Sequence, residues 1–158
     1  MYENVEIDYR MSSLKAKDIL AILNGEKSES LPTVIESTEN DNLFVFWSGH
    51  GVPGAMCWDE EPYAMTGDDL STVFKDMNLK RRYRKLLMMV EACFSGGVME
   101  QCEGIPGMLF ITAANGDETS KADVFNGEMK VWMSNRFTST FIEQITDNKD
   151  VAMRDLYY

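Results

Sequence analysis

The stretch Leu43-Phe44-Val45-Phe46-Trp47-Ser48-Gly49-His50-Gly51 decides how this chain is read. Consecutive apolar side chains stop abruptly at a glycine-flanked histidine. A short apolar run closed by glycine predicts a strand buried on both faces of a sheet. The pattern recurs: the apolar residues 86–90 end at Glu91-Ala92-Cys93-Phe94-Ser95-Gly96-Gly97, and residues 108–113 end at Ala114-Asn115-Gly116. Between and around these runs the apolar spacing is helical. Residues 13–24 carry Ile19, Leu20, Ile22 and Leu23 on one face, with Ser13 as cap and Gly25 as stop. Residues 68–80, capped by Asp68 or Asp69, place Leu70, Val73, Phe74 and Met77 together. Residues 134–145 turn Phe137, Phe141, Ile142 and Ile145 inward, and another helix starts near Asp150 and is still apolar at Tyr157-Tyr158. Residues 55–58 and 63–66 flank the turn-like Asp59-Glu60-Glu61-Pro62 and predict a hairpin. Buried strands alternating with helices imply an α/β fold with a parallel sheet and right-handed crossovers.

The whole chain fits this plan as one unit. Its 158 residues suffice for a single domain with a core, and we find no repeat, linker or internal boundary. An apolar content of 44% argues against disorder. The net charge of −11 argues against nucleic acid as a partner, because phosphate binding needs a basic footprint. No apolar run approaches the ~20 residues of a membrane span, and the acidic first ten residues lack a signal pattern, so no compartment is assigned. Three cysteines are too few for a disulfide scaffold, and a single histidine excludes a His-rich metal site. No metal or organic cofactor is expected.

In open α/β sheets, functional groups gather beyond the carboxyl ends of the strands. His50 follows the first strand and Cys93 the second. If those strands are neighbours, ~4.8 Å apart, the two residues share one sheet edge. That arrangement is a workable Cys-His dyad, with imidazole as general acid or base and sulfur as nucleophile. The N–H groups of Gly51 and Cys93 could polarise a scissile carbonyl as an oxyanion hole. The plainer reading stands beside it. A lone cysteine at a strand end is commonly a small buried hydrophobe, and a lone histidine among glycines a turn residue.

Ser48-Gly49-His50-Gly51 followed by Glu91-Ala92-Cys93-Phe94-Ser95-Gly96 resembles the legumain family of cysteine peptidases, in the caspase-like clan. The similarity extends to residues 18–25, to Lys80-Arg81-Arg82-Tyr83-Arg84-Lys85 (as in the glycosylphosphatidylinositol transamidase branch), to Thr112-Ala113-Ala114-Asn115 and to Asn135-Arg136-Phe137-Thr138. The resemblance implies a three-layer αβα caspase-like sandwich with a mostly parallel central sheet. It implies that His50 is the catalytic imidazole, Cys93 the thioester-forming nucleophile and Gly51 an oxyanion donor. Glu91 would line the pocket for the side chain preceding the cut bond, Ser120 matches a pocket serine, and Asn135 stands where many relatives are acidic. Cleavage after asparagine, aspartate or a basic residue of a peptide or protein substrate follows, by hydrolysis or transfer. Family members are often exported or in the secretory pathway.

The resemblance also implies a strand, a helix and a second strand before the region that starts at Met1. Residues 1–158 are therefore expected to be one peptidase domain lacking those strands and stopping inside a helix. Residues 43–47 would then form an exposed apolar edge, which recruits a complementary N-terminal fragment or a second copy. The rival function is a non-catalytic caspase-like module that binds partners through this edge or the cleft. A thiol-redox or acyl-transfer enzyme is a third reading, weakened by the lack of a CxxC pair. Cys57, on the inward face of a hairpin strand, and Cys102 are expected to be incidental. The basic run 80–85 reads as a solvated helix end suited to the helix dipole, with a docking patch as the alternative, Asp59-Glu60-Glu61 and Asp68-Asp69 as turn and cap chemistry, and Trp132 and Met133 as core by default, with the border of the cleft as the alternative.

Overall fold

A computed structural model describes residues 4–58, 61–148, 150 and 152. In chain order it contains α1 (Ala16–Asn24), β1 (Asn42–Ser48), β2 (Gly51–Val52), β3 (Ala55–Trp58), β4 (Glu61–Thr66), α2 (Gly67–Leu79), β5 (Lys85–Glu91), α3 (Ser95–Met99), β6 (Met108–Thr112), β7 (Ala122–Asn126), β8 (Val131–Asn135) and α4 (Arg136–Asp147). The central sheet has the order β1-β5-β6 and both pairings are parallel. The fold is the mixed α/β architecture expected, with a parallel central sheet. The antiparallel units β2-β3-β4 and β7-β8 stand apart from that sheet.

Registry decides which side chains share a face. Leu43, Val45 and Trp47 of β1 pair with Leu86, Met88 and Val90 of β5, and the first two of these β5 residues pair with Met108 and Phe110 of β6. This face meets α1, α2 and the β3-β4 hairpin. Leu70, Phe74 and Met77, at helical spacing on α2, are buried there with Met56 and Met65. Phe74 and Phe110 pack at 6.0 Å between ring centroids. Each such side chain contributes about 1.5–3 kcal/mol by leaving water. Asn24, at the end of α1, donates to Asp76 of α2 at 2.8 Å and ties the two helices.

Helix starts differ from expectation for local reasons. α2 is capped by Thr66, not by Asp68 or Asp69: Thr66 Oγ1 accepts from the Asp69 amide at 3.2 Å. The Asp69 carboxylate returns the favour by accepting from the Thr66 amide at 3.0 Å, which completes a capping box. α1 begins at Ala16, with the Lys15 amide donating to Asp18 at 2.8 Å. Ser13 closes a preceding 3-10 turn instead, donating to the Arg10 carbonyl at 2.7 Å. Gly25 ends α1 in the left-handed region, as expected.

Other expectations are corrected. β1 is not buried on both faces: Phe44 and Phe46 alternate outward, at 60% and 44% exposure. It is the edge strand of the described sheet, which accounts for that alternation. Ser134 and Asn135 belong to β8, so α4 starts at Arg136, and Ile142 on α4 is exposed rather than inward. The β7-β8 hairpin was not foreseen. It carries Trp132 and Met133 outward instead of into a core, with Trp132 against Phe125 at 5.2 Å. The basic run is structural as much as solvated. Arg82 donates to the Ile35 carbonyl, Arg84 to Asn42 at 3.1 Å, and Tyr83 is buried and donates to the Pro106 carbonyl at 3.1 Å. Asp59 and Glu60 of the expected turn, and the expected helix from residue 150 onward apart from residues 150 and 152 themselves, lie outside the described residues.

Candidate functional site

The β1–β5 register sets Ser48 beside Glu91 as the last pair of both strands. His50 and Cys93 each follow two residues later, so both loops leave the sheet at the same level. The Gly49 amide donates to the Glu91 carbonyl at 3.1 Å and holds the loops together. Gly51 then lies directly on the second loop. A Cβ there would sit 2.1 Å from the Cys93 carbonyl oxygen, so the approach is open only to glycine. The Cys57 amide donates to the His50 carbonyl at 2.9 Å, anchoring the histidine loop to the hairpin. His50 is exposed and Cys93 half-buried.

After Cys93 the chain turns sharply. Phe94 takes a left-handed conformation, φ 56°, which costs a non-glycine residue energy and is held by its amide bond to the Glu118 carbonyl at 2.8 Å. The Gly96 amide donates to the Ala114 carbonyl at 3.0 Å, and Gly97 packs on Gly116 with no room between for larger side chains. The Gly96-Gly97 pair thus seats α3 against the loop after β6. That loop delivers Ser120, whose Oγ lies 3.7 Å from Cys93 Sγ.

Glu91 is 1% exposed and points to the face of the sheet that α4 approaches. One carboxylate oxygen, Oε2, accepts from the Thr138 amide at 3.0 Å and from the Thr138 hydroxyl at 2.8 Å. The other, Oε1, is buried and has no partner among the described residues. Asn135 lies at the β8–α4 junction and pairs with Ala122, and neither the Glu91 nor the Cys93 hydrogen bonds include it. The structure therefore sets the His50–Gly51 loop against the Cys93 loop, brings Ser120 of the loop after β6 to Cys93, and joins Glu91 to Thr138. Thr138 was missed as a partner, although its segment was singled out. The missing signal was the register of α4 over the sheet, which no local pattern encodes.

The remaining cysteines separate. Cys102 is buried, and burial pushes its thiol up to about 11, which leaves it inert at neutral pH. Cys57 is half-buried and borders a cleft of about 510 Å³ with Trp47, Gly49, His50 and Trp58, so it is not enclosed in the interior expected for it. Among the described residues no three His, Cys, Asp or Glu side chains converge on a cation-sized site, and no helix is long and apolar enough to cross a membrane.

The sequence profile of the Peptidase C13 family matches residues 1–157. The chain belongs to this family. It is 37% identical to the hemoglobinase of Schistosoma mansoni over 75% of this chain and 27% of that protein. It is 26% identical to the legumain of Rattus norvegicus over 99% of this chain and 36% of that protein. It is 25% identical to the GPI-anchor transamidase of Bos taurus over 98% of this chain and 40% of that protein. The chain thus spans well under half the length of these C13 relatives.

Proposed function

We propose that this C13 chain is the dyad-bearing part of a cysteine endopeptidase that works through a thioester. The observation that carries the reading is the in-register β1–β5 pair, which sends His50 and Cys93 off one sheet edge from equivalent positions. Cys93 Sγ, as thiolate, adds to the scissile carbonyl carbon. Charge develops on the carbonyl oxygen, where the Gly51 N–H stabilises it. The proton that leaves the Cys93 thiol is taken up by His50; as the C–N bond breaks, His50 delivers it to the departing amine, and a thioester to Cys93 remains. Water releases the acid; an incoming amine would give transfer instead. Ser120 Oγ, in reach of the sulfur, orients it by hydrogen bonding.

Glu91 forms the base of the pocket for the residue before the cut bond. Its unpartnered oxygen suits a donor side chain, such as the amide of asparagine or a basic group, better than a carboxylate. Asn135, at the β8–α4 junction, is the position that the family resemblance assigns to this pocket. The substrate is a peptide or protein, and no cofactor enters the reaction. The open β1 edge, with Phe44 and Phe46, is where a complementary segment or a second copy would add.

A peptide carrying a thiol-reactive group after asparagine tests the reading. It should label Cys93, and Cys93→Ala should reduce peptide turnover more than about a thousandfold. Retained turnover in Cys93→Ala would refute it and favour the non-catalytic module.

A further inference from the structure

Glu91 presents an unusual balance. A carboxyl group that is 1% exposed has one oxygen accepting two hydrogen bonds and the other accepting none among the described residues. Leaving a buried carboxyl oxygen without a donor is costly, so the arrangement favours a ligand that supplies one. The doubly held oxygen is clamped from a single residue. The Thr138 amide belongs to the first turn of the twelve-residue helix α4, where backbone N–H groups lack intrahelical partners. The hydroxyl of the same residue supplies the second bond. With both donors on Oε2, the carboxylate is fixed against rotation and Oε1 is left as the sole free acceptor.

We infer that Thr138 is a positioning residue for substrate selection: its amide and hydroxyl lock Glu91 so that Oε1 alone meets the N–H of the substrate side chain. This rests on Glu91 facing the substrate, as proposed above. Thr138 touches no reacting atom and acts only through Glu91. Removing the hydroxyl leaves the amide bond and the helix intact but frees the carboxylate to turn. Oε1 then no longer waits in one place, and a side-chain amide loses its advantage over a methyl group.

The test is binding, which does not depend on turnover. Short peptides ending in asparagine amide or in alanine amide are titrated calorimetrically into the protein carrying Cys93→Ala. Thr138→Val in that background should lower the asparagine-over-alanine affinity ratio about tenfold, the scale of one hydrogen bond to a charged group, while alanine-peptide affinity stays the same. Thr138→Ser should keep the ratio. If Thr138→Val leaves the ratio unchanged, or weakens both peptides equally, the positioning role is wrong. Glu91→Gln separates the two levels. If it changes the ratio while Thr138→Val does not, only the positioning role fails. If neither changes it, the pocket reading of Glu91 fails and the positioning role falls with it.

Discussion

On one face of the central sheet Leu86, Met88 and Val90 lie buried under α1, α2 and the β3-β4 hairpin. On the other face Phe44, Phe46 and Leu109 stay open, and α4 reaches only the carboxyl end, where Phe137 and Phe141 border a cleft of about 250 Å³ with Ile111. Glu91 belongs to this thinner face, where it is buried and hydrogen-bonded by Thr138. The difference separates two kinds of residue. Side chains on the thick face supply most of the stability; on the thin face Met89 and Ile111 are still buried, and only Phe44, Phe46 and Leu109 are left open for recognition.

Phe74→Ala is the largest way to test the division. Phe74 is fully buried at the centre of the thick face, and truncation there should cost about 3–5 kcal/mol. The matching change on the thin face, Phe44→Ser, should move stability by no more than about 0.5 kcal/mol, because the ring is already in water. Chemical denaturation of both variants measures the contrast. Similar losses in the two would mean that the open face is covered in solution, and sedimentation of Phe44→Ser would then show whether a second copy covers it.

Gly51→Ala probes the seam between the faces. The added Cβ meets a backbone oxygen, which cannot swing aside, so the histidine loop must lift from Cys93. A stability loss of about 1–3 kcal/mol is expected, the usual cost of overpacking. Labelling of Cys93 by the asparagine-directed reagent should fall further than its labelling by iodoacetamide, which needs no oxyanion donor. Equal falls would place the effect in the thiol's accessibility alone.

The sequence made the thick face legible because both of its codes are local. The apolar runs at residues 43–47, 86–90 and 108–113 are β1, β5 and β6 within a residue or two, and the 3.6-residue spacing of Leu70, Phe74 and Met77 is α2. The positions of His50 and Cys93 followed from one topological rule about strand ends. The thin side was harder. Trp132 and Met133 looked like core because large apolar side chains usually are, whereas β8 exposes them. Ile142 fits an inward helical stripe, but on α4 it is exposed and no residue of the helix is fully buried. The Glu91–Thr138 clamp joins residues 47 apart in sequence and depends on where α4 lands, which composition and periodicity do not carry.

The smallest expected effect lies at the α1–α2 junction behind the thick face. The Lys80 ammonium, 2.5 Å away, and the Asn24 amide both bond the Asp76 carboxylate and hold its pKa below the usual 3.8, against a smaller opposing effect of desolvation. A carboxyl depressed in the folded state stabilises the protein at every pH above its unfolded value. That contribution begins to fade as pH drops towards 3.8 and is gone once pH has passed below the folded value. Asp76→Asn keeps the size of the side chain and removes the charge. The variant should therefore melt slightly below the parent at pH 7, and the gap should close as the two are compared at successively lower pH. Both groups are partly in water, so the gap should also shrink in high salt. A gap that persists unchanged through acid would assign the loss to the geometry of the Asn24 bond rather than to the charge, and the thick face would then owe its helix–helix junction to packing and neutral hydrogen bonds alone.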